Sequence, residues 1–185
     1  MFSRRSFLAT SAAASVTLAS PALAFTVKPR FMPQTVKVRS DLEAGQIIVA
    51  PKAHFLYFVE APGQARRYGV GVGKAGLEFT GTATIQVKKE WPTWRPTNDM
   101  IERDPHKYTE FVDNDYVQPG GPGNPLGARA LYLFQNGRDT YFRIHGTTQP
   151  STIGLSVSNG CIRMINDHVI DLYDRVPRGT KVTVV

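Results

Sequence analysis

From Gln46 onward, apolar and polar residues alternate in short runs. Ile47-Ile48-Val49 and Phe55-Leu56-Tyr57-Phe58-Val59 flank a turn at Pro51-Lys52, which predicts a hairpin. Tyr68, Val70 and Val72 alternate with Arg67, Gly69 and Gly71, and Ala83, Ile85 and Val87 alternate with Thr82, Thr84, Gln86 and Lys88. A period of two sends successive side chains to opposite faces, so these runs predict sheets with one wet face. Residues 130–134 and 140–145 read as two further strands joined across Asn136-Gly137, a hairpin dipeptide. The period then changes. Val169, Leu172, Tyr173 and Val176 lie on one helical face, Asn166 or Asp167 can cap it, and Pro177 and Gly179 end it before a closing strand over 181–185. The pattern predicts a mostly β domain with few short helices, sheet packed on sheet in the manner of a β-sandwich.

Two stretches break the regularity. Residues 25–45 lack apolar periodicity and read as an N-terminal arm in front of a single domain at 46–185. Residues 91–127 begin with both tryptophans of the chain, Trp91 and Trp94, fixed by Pro92 and Pro96, and end in Gly-Gly-Pro-Gly-Asn-Pro-Leu-Gly, with a short helix expected near 98–103. A connection this long inside a compact domain suits a lid or binding loop. Trp91 and Trp94 then either line a substrate groove or pack the loop onto the sheet. The glycine cluster lacks the Gly-Lys-Ser/Thr ending of a phosphate loop, which argues against nucleotide binding.

The first 24 residues change the compartment. Arg4-Arg5 precede a mildly apolar run at 7–19, too short and too rich in Ala, Ser and Thr to span a bilayer, and Ala22-Leu23-Ala24 offers a cleavage site. The arrangement resembles a twin-arginine export signal, and an ordinary secretory signal would also lead out of the cytoplasm. No other apolar segment predicts membrane insertion after signal removal. Two of the +7 formal charges belong to that segment, and the remaining Lys and Arg are scattered without interleaved aromatics, which speaks against nucleic acid as a partner.

In an oxidising compartment cysteines come in pairs, yet Cys161 is alone. It is either buried and inert or retained for reactivity. A thiol acts as a nucleophile through its thiolate, so a base must be within reach. His54, His106 and His168 read as surface or capping histidines. His145 ends a strand before Gly146-Thr147, and counting back by twos puts Arg143 and Tyr141 on its face with Ile144 and Phe142 opposite. It is either a base or a satisfied structural histidine.

His145-Gly146-Thr147, followed after a short loop by Ser158-Asn159-Gly160-Cys161-Ile162-Arg163, resembles the signature of the YkuD-type L,D-transpeptidases, bacterial enzymes that cross-link the cell wall. Trp91-Pro-Thr-Trp94, the segment 124–132 and the segment 169–173 extend the resemblance over the chain from about Gly45 onward. Some members carry a second histidine where Asn159 stands, so a role for that histidine does not transfer.

The resemblance implies Cys161 as nucleophile and His145 as its base. Peptidoglycan stem peptides are the implied partners, and neither metal nor cofactor is needed. Cys161 would attack the carbonyl between the L-centre of diaminopimelate and the terminal D-alanine of a tetrapeptide stem. Water as acceptor would make a carboxypeptidase, and a lipoprotein lysine an anchoring enzyme. A wall-binding module with a vestigial site is a further alternative. Pairing an ordinary thiol with a base gains at most roughly thirtyfold in thiolate at pH 7. An oxyanion-hole donor is worth on the order of 10² to 10³, and the N–H groups around Gly160 and Cys161 are the candidates. Arg163 is expected to bind a substrate carboxylate, favour the thiolate or tie down the loop. Ser158, Asn159, Gly146 and Thr147 are expected to position loops.

Overall fold

The computed structural model describes residues 26–185. The alternating runs become strands: β1 Gln34–Lys37, β2 Ile47–Ala50, β3 Phe55–Ala61, β4 Gln64–Gly69, β5 Val72–Gly73, β6 Gly81–Glu90, β7 Arg129–Gln135, β8 Arg138–His145, β9 Ser156–Ser158, β10 Ile162–Arg163 and β11 Lys181–Val184. The helices are α1, Asn98–Arg103, and α2, Asn166–Arg175. The expected hairpin forms from β2 and β3, closed by a turn that His54 completes in the left-handed region. The arm at 25–45 is less idle than its composition suggests. Its β1 adds an edge to β4 with mostly exposed side chains, which is why no apolar period announces it.

Among the described residues nine strands make one sheet in the order β1-β4-β3-β2-β11-β6-β7-β8-β10, and β5 pairs with β9 in a second. The strand β11 occupies the centre, parallel to β2 and antiparallel to β6. The large sheet curls until β10 reaches the chain just beyond β4: Gly71 and Arg163 of β10 exchange backbone hydrogen bonds of 2.9 and 2.8 Å. A single core fills the interior, with Ile47, Leu56, Tyr68, Ile85, Leu131, Ile144, Ile162 and Val182 all shielded from solvent. The architecture is mostly β with two helices, as the patterning predicts.

The helix α2 lays Val169 and Leu172 on this core. Lys88 of β6 donates to the carbonyls of Tyr173 and Val176 at 2.6 and 2.7 Å, satisfying acceptors that a helix end leaves open. Its N-terminus departs from expectation. Ile165 stands at the N-cap without a side-chain bond, and the Asn166 side chain reaches across to other loops. The expected export signal at 1–24 lies outside the described residues. No helix among those residues is long and apolar enough to cross a membrane.

Candidate active site

Parallel pairing of β10 with β8 sets Ile162 beside Ile144 and Arg163 beside His145. Both isoleucines enter the core. Because side chains alternate along a strand and paired residues share a face, Arg163 and Cys161 project to the same opposite face as His145 and Arg143. The Cys161 thiol and the His145 imidazole singled out in the sequence thus project to one face of β8 and β10. The parity count holds only from Arg143 to His145, because three residues, Thr140, Tyr141 and Phe142, stand opposite the single Leu133 of β7. This bulge leaves Tyr141 exposed with φ of 61° and turns Phe142 toward Phe79.

His145 is buried, and its Nδ1 lies 2.6 Å from the Gly146 carbonyl oxygen. A carbonyl only accepts, so the proton sits on Nδ1 and Nε2 carries the lone pair of a base. Burial pushes the His145 pKa down to about 4, against the pull of the Gly146 and Leu126 carbonyls, and the charge of Arg163 adds to the depression. Burial likewise pushes the Cys161 thiol up, opposed by the Arg143 backbone N–H and by the charges of Arg143 and Arg163. Both shifts favour neutral forms. The pair rests as thiol and imidazole, with the thiol donating weakly to the Tyr141 carbonyl at 3.9 Å.

Short bonds fix the loop carrying Cys161. The Ser158 hydroxyl donates to the Cys161 carbonyl at 2.7 Å and accepts the Gly160 N–H at 3.2 Å. Gly160 therefore differs from its expected role: its N–H is engaged, and glycine is required for a φ of 117° and because a Cβ would strike the Phe142 ring and the Leu77 carbonyl. The Cys161 N–H has no protein acceptor among the described residues. Across the site, Asn166 Oδ1 accepts from Ala128 N at 3.0 Å and Thr147 N at 3.2 Å, stitching the end of the irregular segment to the loop after His145. Gly146 packs against the same Asn166 oxygen, where a Cβ has no room. Thr147 turns its hydroxyl to Gln149 N at 3.0 Å. The sequence gives no sign of the Asn166 role, because a helix-start asparagine reads as a cap.

Arg163 is half-buried, and its Nε and Nη2 are buried without a partner. Burial lowers its pKa, and the neighbouring Cys161 is the group that counters this. Unpaired guanidinium donors out of water are costly and are satisfied by an incoming anion.

The irregular segment folds on itself. Trp94 packs edge-on to Phe111 at 5.3 Å and near Tyr108 at 6.2 Å, and it pairs backbone with Gln118. Arg95 ties the loop by donating to the carbonyls of Phe111, Asn114 and Tyr116. Trp91, in contrast, is 45% exposed. This segment touches the nucleophile loop through Asn159, whose Oδ1 accepts from Arg103 at 3.2 Å and whose Nδ2 donates to the Tyr108 hydroxyl at 3.3 Å. Of the other histidines, His54 bonds Ser156 of β9 at 3.1 Å and His168 is buried on α2.

Residues 44–184 match the family model of YkuD, the L,D-transpeptidase catalytic domain. The chain belongs to this family. The chain is 33% identical over 156 residues to the probable L,D-transpeptidase ErfK/SrfK of Escherichia coli (strain K12), covering 83% of this chain and 48% of that protein. The chain thus spans about half the length of that curated relative. A crystal structure described as a probable carnitine operon oxidoreductase from Brucella melitensis is 58% identical with a TM-score of 0.58, covering 86% of this chain and 96% of the other. The structure of the L,D-transpeptidase LdtMt1 in complex with imipenem shares the YkuD fold at 18% identity and a TM-score of 0.51, covering 75% of this chain and 57% of that one.

Proposed function

We propose that this chain is a peptidoglycan L,D-transpeptidase working outside the cytoplasm, exported by a twin-arginine-like signal at 1–24. One observation carries the reading: a neutral imidazole shares a face with a lone thiol and with an Arg163 guanidinium that has two buried, unpaired nitrogens. The reading rests on these residues and on the family, and the oxidoreductase name of the Brucella protein contributes nothing to it.

Rotation about the Cα–Cβ bond turns the Cys161 thiol from Tyr141 toward His145. Nε2 takes the proton as sulfur attacks the carbonyl between the L-centre of diaminopimelate and D-alanine. The Cys161 N–H donates to the oxyanion that develops. An imidazole whose pKa is depressed to about 4 gives a strongly acidic imidazolium, suited to returning the proton to the departing amine. The C–N bond breaks, D-alanine leaves and a thioester remains. An amine of a second stem then attacks the thioester and loses its proton to His145. The sulfur departs and is reprotonated. Arg163 holds the D-alanine carboxylate, which satisfies its orphan donors and sets the donor in register.

Incubation with a purified disaccharide-tetrapeptide tests the reading by mass spectrometry. A dimer lacking one D-alanine is expected; release of D-alanine without a dimer identifies water as acceptor, and no release defeats the proposal. Arg163→Met is expected to raise KM for the tetrapeptide donor by roughly ten- to a hundredfold, the worth of a charge-assisted bond. An equal effect on a donor whose terminal carboxylate is amidated would remove that role. A carbapenem is expected to add one acyl group at Cys161 and none to Cys161→Ala.

A further inference from the structure

The bulge in β8 is expensive. A non-glycine, aromatic residue in the left-handed region is rare, and Tyr141 sits there with φ of 61° while remaining 70% exposed, so no burial of the ring offsets the strain. The bulge is nevertheless held at several points. Asp139 Oδ1 accepts the Tyr141 N–H at 2.8 Å, and the Asp139 carboxylate takes a two-pronged bond from Arg143 at 2.7 and 2.8 Å. Thr140 Oγ1 donates to the Leu133 carbonyl at 2.6 Å and accepts the Phe142 N–H at 3.2 Å. The Arg143 guanidinium lies 4.0 Å from the Tyr132 ring centroid and also donates to the Phe142 carbonyl at 2.9 Å. A regular strand needs none of these bonds.

What the distortion delivers is an arrangement of backbone around sulfur. The two residues flanking Phe142 contribute groups at the thiol: the Tyr141 carbonyl takes the S–H at 3.9 Å, and the Arg143 N–H favours the thiolate. One serves the resting form and the other the reactive form. We propose that Asp139, outside the reacting atoms, is a positioning residue of the nucleophile. By clamping the bulge through Tyr141 N–H and Arg143 it holds both backbone groups on Cys161. The charged groups acting on the sulfur are Arg143 and Asp139 of β8 and Arg163 of β10, and His145 lies on the same face of β8.

The proposal can be separated from simple electrostatics by sign. The Asp139 charge by itself disfavours the thiolate, so deleting it through charge alone would speed thiol reaction. Losing the clamp would slow it. Alkylation of the folded protein by iodoacetamide, followed across pH, reads this directly and needs no peptidoglycan substrate, so it remains decisive even if the transpeptidase reading fails. Asp139→Ala is expected to slow alkylation at neutral pH about tenfold and to move the alkaline midpoint upward, the scale of one lost bond to a charged sulfur. Asp139→Asn, which keeps an acceptor for Tyr141 N–H, is expected to recover part of the rate. If Asp139→Ala does not fold, Thr140→Val loosens the same bulge and is expected to slow alkylation in the same direction. Alkylation of the folded variant as fast as the parent, or faster with a midpoint moved down, overturns the proposal.

Discussion

The two sides of the site are built on opposite plans. On the Cys161 side, from Ser158 to Arg163, the chain is locked by the Ser158 hydroxyl bonding the backbone at close range, and a single added Cβ at Gly160 has nowhere to go. On the facing side, residues 91–128 are held by aromatic packing of the loop on itself and by Arg95 donating to its own carbonyls. Contact between the two is polar and shallow, passing through Asn159 to Arg103 and Tyr108. His145 ends a strand and Cys161 directly precedes one, which suits groups proposed to meet a reacting carbon within tenths of an ångström. The surface proposed to receive the stem peptide is a separately folded loop that meets the Cys161 loop through few contacts.

If that division is real, changes on the first side alter chemistry and leave stability, whereas changes on the second alter stability and affinity. The largest effect is expected for Cys161→Ala: at least about a 10³-fold loss of D-alanine release, by mass spectrometry, with thermal unfolding little altered because the thiol is only half-buried. Next is pH. Because His145 loses its proton near about 4, kcat/KM should fall about tenfold per unit below that value and stay flat toward neutral, where both base and thiol keep their working forms. A midpoint near 6.5 in the pH–rate profile would mean that the base is not this buried imidazole.

Smaller effects are expected across the divide. Trp94→Ala removes the hub of the loop's aromatic cluster and should destabilise by about 2 kcal/mol with a raised KM, measured by chemical unfolding and steady-state kinetics. The smallest is Asn159→Ala, which severs the two contacts between the sides and should raise donor KM about two- to fivefold. Its iodoacetamide rate should match the parent, and a slowed rate would show that the sides are coupled.

What could be read from the sequence follows the same division. Strands with one wet face and the α2 stripe were legible because burial imposes a period. Cys161 and His145 stood out because a lone thiol is set in that signature, and the pairing of β10 with β8 puts both on one face. The β8 bulge was not, since two extra residues change no apolar pattern and only the pairing with β7 exposes them. The work of Asn166 was hidden for a related reason: its contacts with Ala128 and Thr147 span chain positions that no local rule connects. Polar β1 was missed because an edge strand has little to bury.

The central place of β11 constrains how the molecule can be made. Two antiparallel units, β2-β3-β4 on one side and β6-β7-β8 on the other, emerge first from the ribosome, but the strand that joins them into one sheet is the last to be synthesised. Until residues 181–184 arrive, each unit presents an open edge, the kind of surface that pairs with the wrong partner. Completion of the sheet therefore waits for residues 181–184, and the two halves have to be kept from premature association until that strand is inserted between them.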